Sequence, residues 1–357
     1  MEEYIIDREE CARAYRISCI IGIPLLLAVI AFLAYYSMIK PLNIVASGNM
    51  DGTEFLESTN VDKVVLNQVF PRKDDSQSRF FIPLSEKVTQ KDIRIENNYL
   101  ARQMLIRISG MEEDFYNDTQ MYGNLAGIES VQTGHHQDDV VVLIALNGIY
   151  EYEMILENQQ LSLLLTKPGK VYDRIVVLDA AGYEAEEEAQ LLSISPDEVT
   201  LSIAKKVEAL LEQENVRVYM TRQDASFIAT DDKGKLALDS DADLFLEIHL
   251  SDDPDYGIAG YYNDTYFTSK LTNVDFADEL VRKTAQKVSG LGKGIYAAND
   301  NQLLMNMTMP AVMLGVGSVV NADEAKLLNR EDYINDLAAG IAEGILEAFG
   351  KMESDND

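Results

Sequence analysis

DRIVVLD at residues 173–179, SPDEVTLSIAKKVEALLEQ at 195–213 and VRVYMT at 216–221 read in succession as strand, helix and strand. The first is a continuous apolar run of the kind found in strands buried on both faces, and Pro196 to Gln213 carries apolar residues at helical spacing. Further along, Asp243 to Leu250 reads as a strand, Asn273 to Val288 as a helix, Pro310 to Val316 as a strand and Arg330 to Phe349 as a closing helix. Strands alternating with helices predict an α/β domain with a mainly parallel sheet over 170–352, followed by an acidic tail at 353–357.

Upstream the pattern changes. Phe80-Phe81-Ile82, Met104 to Ile108, Val140 to Leu146 and Gln160 to Leu165 are short apolar or β-branched runs separated by Gly, Asn and Asp. They predict a small all-β sandwich over 78–168. Residues 40–77, with Gly48, Gly52, Pro71 and the polar run Lys73 to Ser78, read as a stalk or linker holding one strand, Lys63 to Phe70.

The N-terminus carries a different signal. Ile17 to Ile39 contains no Asp, Glu, Lys or Arg, and its residues at about 1.5 Å each reach roughly 34 Å, enough to cross a bilayer core. Arg13 and Arg16 precede the run and Lys40 follows it, which places residues 1–16 in the cytoplasm, 17–39 in the membrane and the domains outside. A cleaved signal peptide is the competing reading; its apolar core would be shorter, about 7–15 residues, with a small-residue cleavage site after it. Cys11 and Cys19 are the only cysteines, so no disulfide forms within the exported part. With 30 Lys plus Arg against 60 Asp plus Glu, the formal net charge is −30. Nucleic acid is thereby set aside as a partner, because its binders present basic patches.

Five segments in order resemble the zinc-dependent N-acetylmuramoyl-L-alanine amidases (the type 3 catalytic domain), cell-wall hydrolases that cut the amide between muramic acid and the stem peptide. IVVLDAAGYE stands for the family's DPGHGG-type strand end, SPDEVTLSIAKKVEALL for its E-K-D-x-N-L helix and VRVYMTR for V-x-L-T-R. DADLFLEIHLS stands for A-D-L-F-x-S-I-H-A-N, and PAVMLGVGSVVNADEAKLL for P-A-x-L-V-E-x-G-F-x-S-N. The β-domain resembles, in pattern, the accessory domain that often precedes these amidases and grips peptidoglycan.

The resemblance implies zinc held by His, Glu and His, with a late Glu as base. On this sequence the first ligand position falls at Gly182, the second at Pro196, the third at His249 and the catalytic Glu at Gly315. Gly and Pro offer no side-chain donor, and one imidazole does not retain zinc or bring its bound water near pKa 7. Zinc is thus the family's cofactor and none is expected here. Asp197 or Glu198 could stand in for the lost Glu ligand, and Glu184 could approach from the first strand end. Phe245, Glu247 and His249 share one strand face, so Glu247 and His249 form either an acid–base or ligand pair, or a salt bridge in a relict cleft. Asp179 matches the family's Asp and is expected to orient the turn.

His135-His136 before Gln137-Asp138-Asp139 reads as an exposed turn more readily than as a metal site, since neighbours in extended backbone point to opposite faces. Gly290, Gly292 and Gly294 follow a helix, which argues against a nucleotide loop. Met305, Met307 and Met309 are expected to pack or to line a loop. The resulting expectation is a single-pass bacterial envelope protein that binds peptidoglycan or wall-enzyme partners without cutting. An active hydrolase with a remodelled site and a structural scaffold are the alternatives.

Overall fold

The computed structural model describes residues 65–66, 70–71, 79–182, 194–224, 226, 228–254, 257–265 and 271–354. The expected membrane span, most of the stalk, Glu184 and the acidic tail beyond Ser354 lie outside the described residues. Among the described residues no helix is long and apolar enough to cross a membrane.

Ten strands build the first domain: β1 (Val65–Leu66), β2 (Phe70–Pro71), β3 (Arg79–Pro83), β4 (Ile93–Asn98), β5 (Gln103–Ser109), β6 (Tyr122–Gly123), β7 (Ile128–His136), β8 (Asp139–Leu146), β9 (Glu151–Glu157) and β10 (Gln160–Thr166). They form two five-stranded sheets, ordered β1-β7-β8-β5-β4 and β2-β6-β3-β10-β9. Alternation in β8 and β5 sends Val140, Val142 and Ile144, and Met104, Ile106 and Ile108, into a shared core with Phe80, Ile82, Leu161 and Leu163 of the other sheet. The expected sandwich is therefore present, and β1 and β2 carry its sheets N-terminal of residue 78, into the predicted stalk.

The second domain runs β11 (Ile175–Ala180), α1 (Pro196–Gln213), β12 (Arg217–Met220), α2 (Thr230–Asp239), β13 (Leu244–Ser251), β14 (Ile258–Tyr262), α3 (Asn273–Lys287), β15 (Gly292–Ala297), β16 (Ala311–Ser318), α4 (Ala322–Leu328) and α5 (Glu331–Ser354). Its sheet has the order β12-β11-β13-β16-β14-β15. All neighbours are parallel except β14 against β16, so the sheet is mixed. The helices α2 and α4 and the strands β14 and β15 are additions to the elements expected from sequence; glycines at 260, 292 and 294 interrupt the apolar runs that announce a strand.

Period-two alternation divides the core. Val176, Leu178, Leu244, Leu246, Ile248, Val312 and Leu314 pack under α1, α3 and α5. Ile175, Val177, Tyr219, Phe245 and Ala311 point to the other face, under Leu236 and Ala237 of α2 and the buried Met307 and Met309, while Met305 is exposed. Ile149 of the sandwich belongs to this second cluster, and Tyr99 and Leu100 pack against it. The two domains therefore share apolar core at this face.

Their contact is also polar. Arg217 on edge strand β12 donates from Nε to Glu151 Oε1 at 3.0 Å and from Nη2 to the Tyr99 hydroxyl at 2.7 Å. Its guanidinium lies 4.7 to 5.5 Å from the ring centres of Tyr219, Tyr99 and Tyr172. Tyr219 donates its hydroxyl to Glu151, and Arg102 pairs with Asp239 at the end of α2.

Candidate functional site

The C-terminal ends of β11, β13 and β16 meet on the face opposite α1, and the odd-numbered positions there carry the polar groups. Asp179 stands in register with Glu247, and His249 with Gly315. Asp179, Glu247 and His249 thus lie together at these strand ends. Parallel sheets collect sites at these strand ends, because the side chains project beyond the last ladder bonds into a crevice.

Asp179 has no solvent exposure. A carboxylate buried that deeply needs its charge met, and it is: Lys233 of α2 donates to Oδ2 at 2.6 Å, and the Thr221 hydroxyl donates to Oδ1. Thr221 lies in the VRVYMTR segment matched above, without a role read for it there, and Lys233 did not stand out in the sequence. The signal for Lys233 was weak, a cation on a short helix of acidic and small residues.

Glu247 is 8% exposed, and among the described residues its carboxyl accepts no hydrogen bond. His249 Nδ1 stands 3.6 Å from its Oε1, too far for one. Burial, reinforced by the charge of Asp179 and opposed by Lys233, pushes the Glu247 carboxyl up to about 7. Burial lowers His249, against the pull of Asp252 and Asp179. Both shifts disfavour the charged forms, so burial works against an ion pair between the two.

The remaining mapped positions surround this pair. Pro196 opens α1 at its first turn, where a missing N–H costs nothing. Arg222 fixes that turn to the sheet: its Nε donates to the Ala180 carbonyl at 2.7 Å, and its Nη2 donates to the Asp197 carbonyl at 2.9 Å and to the Thr200 hydroxyl at 3.1 Å. A Cβ built on Gly182 would meet only Asp197 Oδ1, at 3.7 Å, and one built on Gly315 would meet Ala259 and Tyr261 at 3.6 Å or more. A Cβ at either glycine would make only ordinary contacts, so each position tolerates a side chain. His135 and His136 are elsewhere, at the end of β7 in the sandwich, with His135 Nε2 2.9 Å from Glu113 Oε1. Gly290 lies in the turn before β15, and Gly292 and Gly294 lie within the strand, so the glycine string builds a sheet edge.

A structural zinc takes four donors and a catalytic one three plus water. Of the mapped positions only His249 has a donor, and no group of three or more His, Cys, Asp or Glu among the described residues is arranged to hold a metal ion. These residues do not fit the family's zinc.

A family profile described as N-acetylmuramoyl-L-alanine amidase matches residues 176–347. The chain is 31% identical over 180 residues to the endolysin of Bacillus phage SPP1, covering 49% of this chain and 65% of that one. It is 30% identical over 172 residues to the germination-specific N-acetylmuramoyl-L-alanine amidase of Bacillus subtilis, covering 43% of this chain and 70% of the relative. Among solved structures, the catalytic domain of CwlV, an N-acetylmuramoyl-L-alanine amidase from Bacillus (Paenibacillus) polymyxa var. colistinus, is 32% identical. That match covers 50% of this chain and 98% of that one, with a TM-score of 0.44. The chain belongs to the N-acetylmuramoyl-L-alanine amidase family. It spans about two thirds of the length of these two curated relatives.

Proposed function

We propose that this protein binds peptidoglycan, or the enzymes that work on it, at the outer face of a bacterial membrane without cleaving the muramoyl–alanine amide. The observation that carries the reading is the occupancy of the inherited catalytic positions: Gly182, Pro196 and Gly315 beside a lone His249. Attack on an amide by metal-activated water needs a Lewis acid and a proton-moving carboxylate, and this donor set supplies no place for the first. The apolar stretch at 17–39, with its flanking Arg13 and Arg16, supports a single-pass anchor with the N-terminus cytoplasmic and the two domains outside.

One observation favours a remodelled active site as the second reading. Asp197 approaches the Gly182 position, and Glu247 lies beside His249, so carboxylates stand near two of the inherited ligand positions. A single experiment separates the two: the purified full chain is analysed for bound metal, assayed for muropeptide release, and sedimented with insoluble peptidoglycan. The binding reading expects retention on the wall material without release. Stoichiometric metal together with release of stem peptides overturns it.

A further inference from the structure

A cavity of about 590 Å³ opens on the outer face of the sandwich, over β3, β9 and β10, within the range of about 300–1,000 Å³ common to ligand sites. Phe80, Ile82, Leu161 and Leu163 face the core, so alternation turns Arg79, Phe81, Ser162 and Leu164 outward. Register sets Ser162 between Phe81 on one side and Ile155 on the other, and Leu164 between Arg79 and Glu153. A small serine between two large apolar neighbours makes the hollow. Phe81 stacks on Tyr122, with ring centres 5.3 Å apart and planes inclined by 30°.

The polar groups here are incompletely used. Arg79 donates from Nη2 to Glu153 Oε2 at 2.9 Å, while its Nη1 is buried and has no hydrogen-bond partner among the described residues. Buried polar groups are nearly always partnered, so Nη1 points to an acceptor from outside the chain. Charge balance makes that acceptor neutral: Glu153 already offsets the guanidinium, Glu157 stands at the same hollow, and a net charge of −30 repels anions. An extended peptide gains little on this face, because β3 and β10 are each paired on both sides and offer no free backbone ladder to join.

We propose that this hollow takes an N-acetylated amino sugar, with the acetamido carbonyl accepting from Arg79 Nη1 and the C–H face of the sugar ring against Phe81. An aromatic ring presents its negative face to such C–H groups, and the carbonyl brings an acceptor without bringing charge. The sugar hydroxyls meet Ser162 and Gln160, whose Oε1 accepts the Tyr122 hydroxyl at 2.5 Å and whose NH₂ is left to donate. Wall glycan strands are built from sugars of this class. The site therefore gives the wall-binding reading above, on which this inference rests, a sugar ligand, and it lies in the sandwich, outside the amidase match at 176–347.

The test uses the full chain in a detergent without a sugar head group and two neutral probes, chitotetraose and cellotetraose, which differ in their acetamido groups, measured by isothermal titration calorimetry. Chitotetraose is expected to bind about tenfold more tightly, the worth of one charge-assisted hydrogen bond. Arg79→Met, which keeps the length and removes the donors, is expected to erase that preference, and Ser162→Leu, which fills the hollow, to abolish binding of both sugars. Equal affinity for the two probes, no binding of chitotetraose, a preference that survives Arg79→Met, or binding that survives Ser162→Leu overturns the proposal. Sedimentation with insoluble peptidoglycan on the same preparation keeps the two readings apart: retention without chitotetraose binding sinks the sugar site alone, while absence of retention sinks the wall-binding reading.

Discussion

Lys233 Nζ lies 2.6 Å from Oδ2 of Asp179, a carboxylate with no exposed surface, and the lysine side chain is only 16% exposed. Removing one partner of such a pair leaves a buried charge unmet, at a cost of about 3–5 kcal/mol. Lys233→Met should therefore destabilise the protein by that order in urea denaturation. A loss below about 1 kcal/mol would mean that Thr221 and neighbouring water satisfy Asp179 alone.

Glu247 gives the stability a definite pH dependence. Its carboxyl titrates near 4.5 in the unfolded chain and at about 7 in the fold. Between those values the folded state holds the extra proton, so stability falls as pH rises from about 5 to 8, by on the order of 3 kcal/mol at most. In Glu247→Gln that segment of the stability–pH curve should flatten. Matching curves for the two proteins would place the titrating group elsewhere.

Arg217 joins the two domains through Glu151 and Tyr99, where Ile149 also enters the core of the second domain. Wild-type protein is expected to melt in one calorimetric transition. Arg217→Ala leaves Glu151 and the Tyr99 hydroxyl without their donor and should cost about 3 kcal/mol. It should also separate the melt into two transitions, with faster proteolytic cleavage between residues 166 and 175. A single transition at the original temperature would show that the apolar contact suffices.

Helices α3 and α5 touch backbone to backbone at Gly340 and Gly344. A Cβ at Gly340 would stand 2.6 Å from Thr284 Cα, and one at Gly344 would stand 3.1 Å from Leu280 Cα. Gly340→Ala must push the helices apart, and overpacking of this kind costs about 1–3 kcal/mol despite the gain in helix propensity. Gly350→Ala, on the same helix with nothing within 4 Å, should be neutral or stabilising by up to about 1 kcal/mol.

Zinc binding should be recoverable. Gly182→His and Gly315→Glu begin from positions with no contact closer than 3.6 Å, and Pro196→Glu places a carboxylate at a helix N-terminus that favours it. The triple variant, with His249 in place, is expected to bind about one equivalent of zinc by metal analysis. Failure to do so would mean that the strand ends no longer converge on one point.

Strong periodicity was the readable part of this molecule. Ile175 to Ala180 and Leu244 to Ser251 are buried along nearly their whole length and announce themselves as apolar runs, and the alternation in β13 placed Glu247 and His249 on one face before any coordinates. The strands β14 and β15 were not readable, because their glycines serve close packing: Gly260 lies against Val281 and Ala277 of α3, and no hydropathy pattern records that. Lys233 was missed, and Arg222 was matched in VRVYMTR without its partners, for a related reason. Their partners, Asp179 and the Ala180 and Asp197 carbonyls, lie 25 or more residues away in sequence, and only the crossover brings them together. The contact of Arg217 with Glu151 was equally invisible, since each residue taken alone looks like an ordinary surface charge.

With Arg217 held by the sandwich, β12 is occupied at one end of the six-stranded sheet, and β15 forms the other end. Exposed strand edges invite other chains to add on, and β15 carries exposed Tyr296 beside Leu291. Its backbone is poorly suited to being extended: Gly294 sits at φ +122°, pairing slips between Ile258 and Ala259, and Lys293 places a charge near the start of the strand. Where copies of the chain meet, this irregular margin resists the addition of one sheet to another.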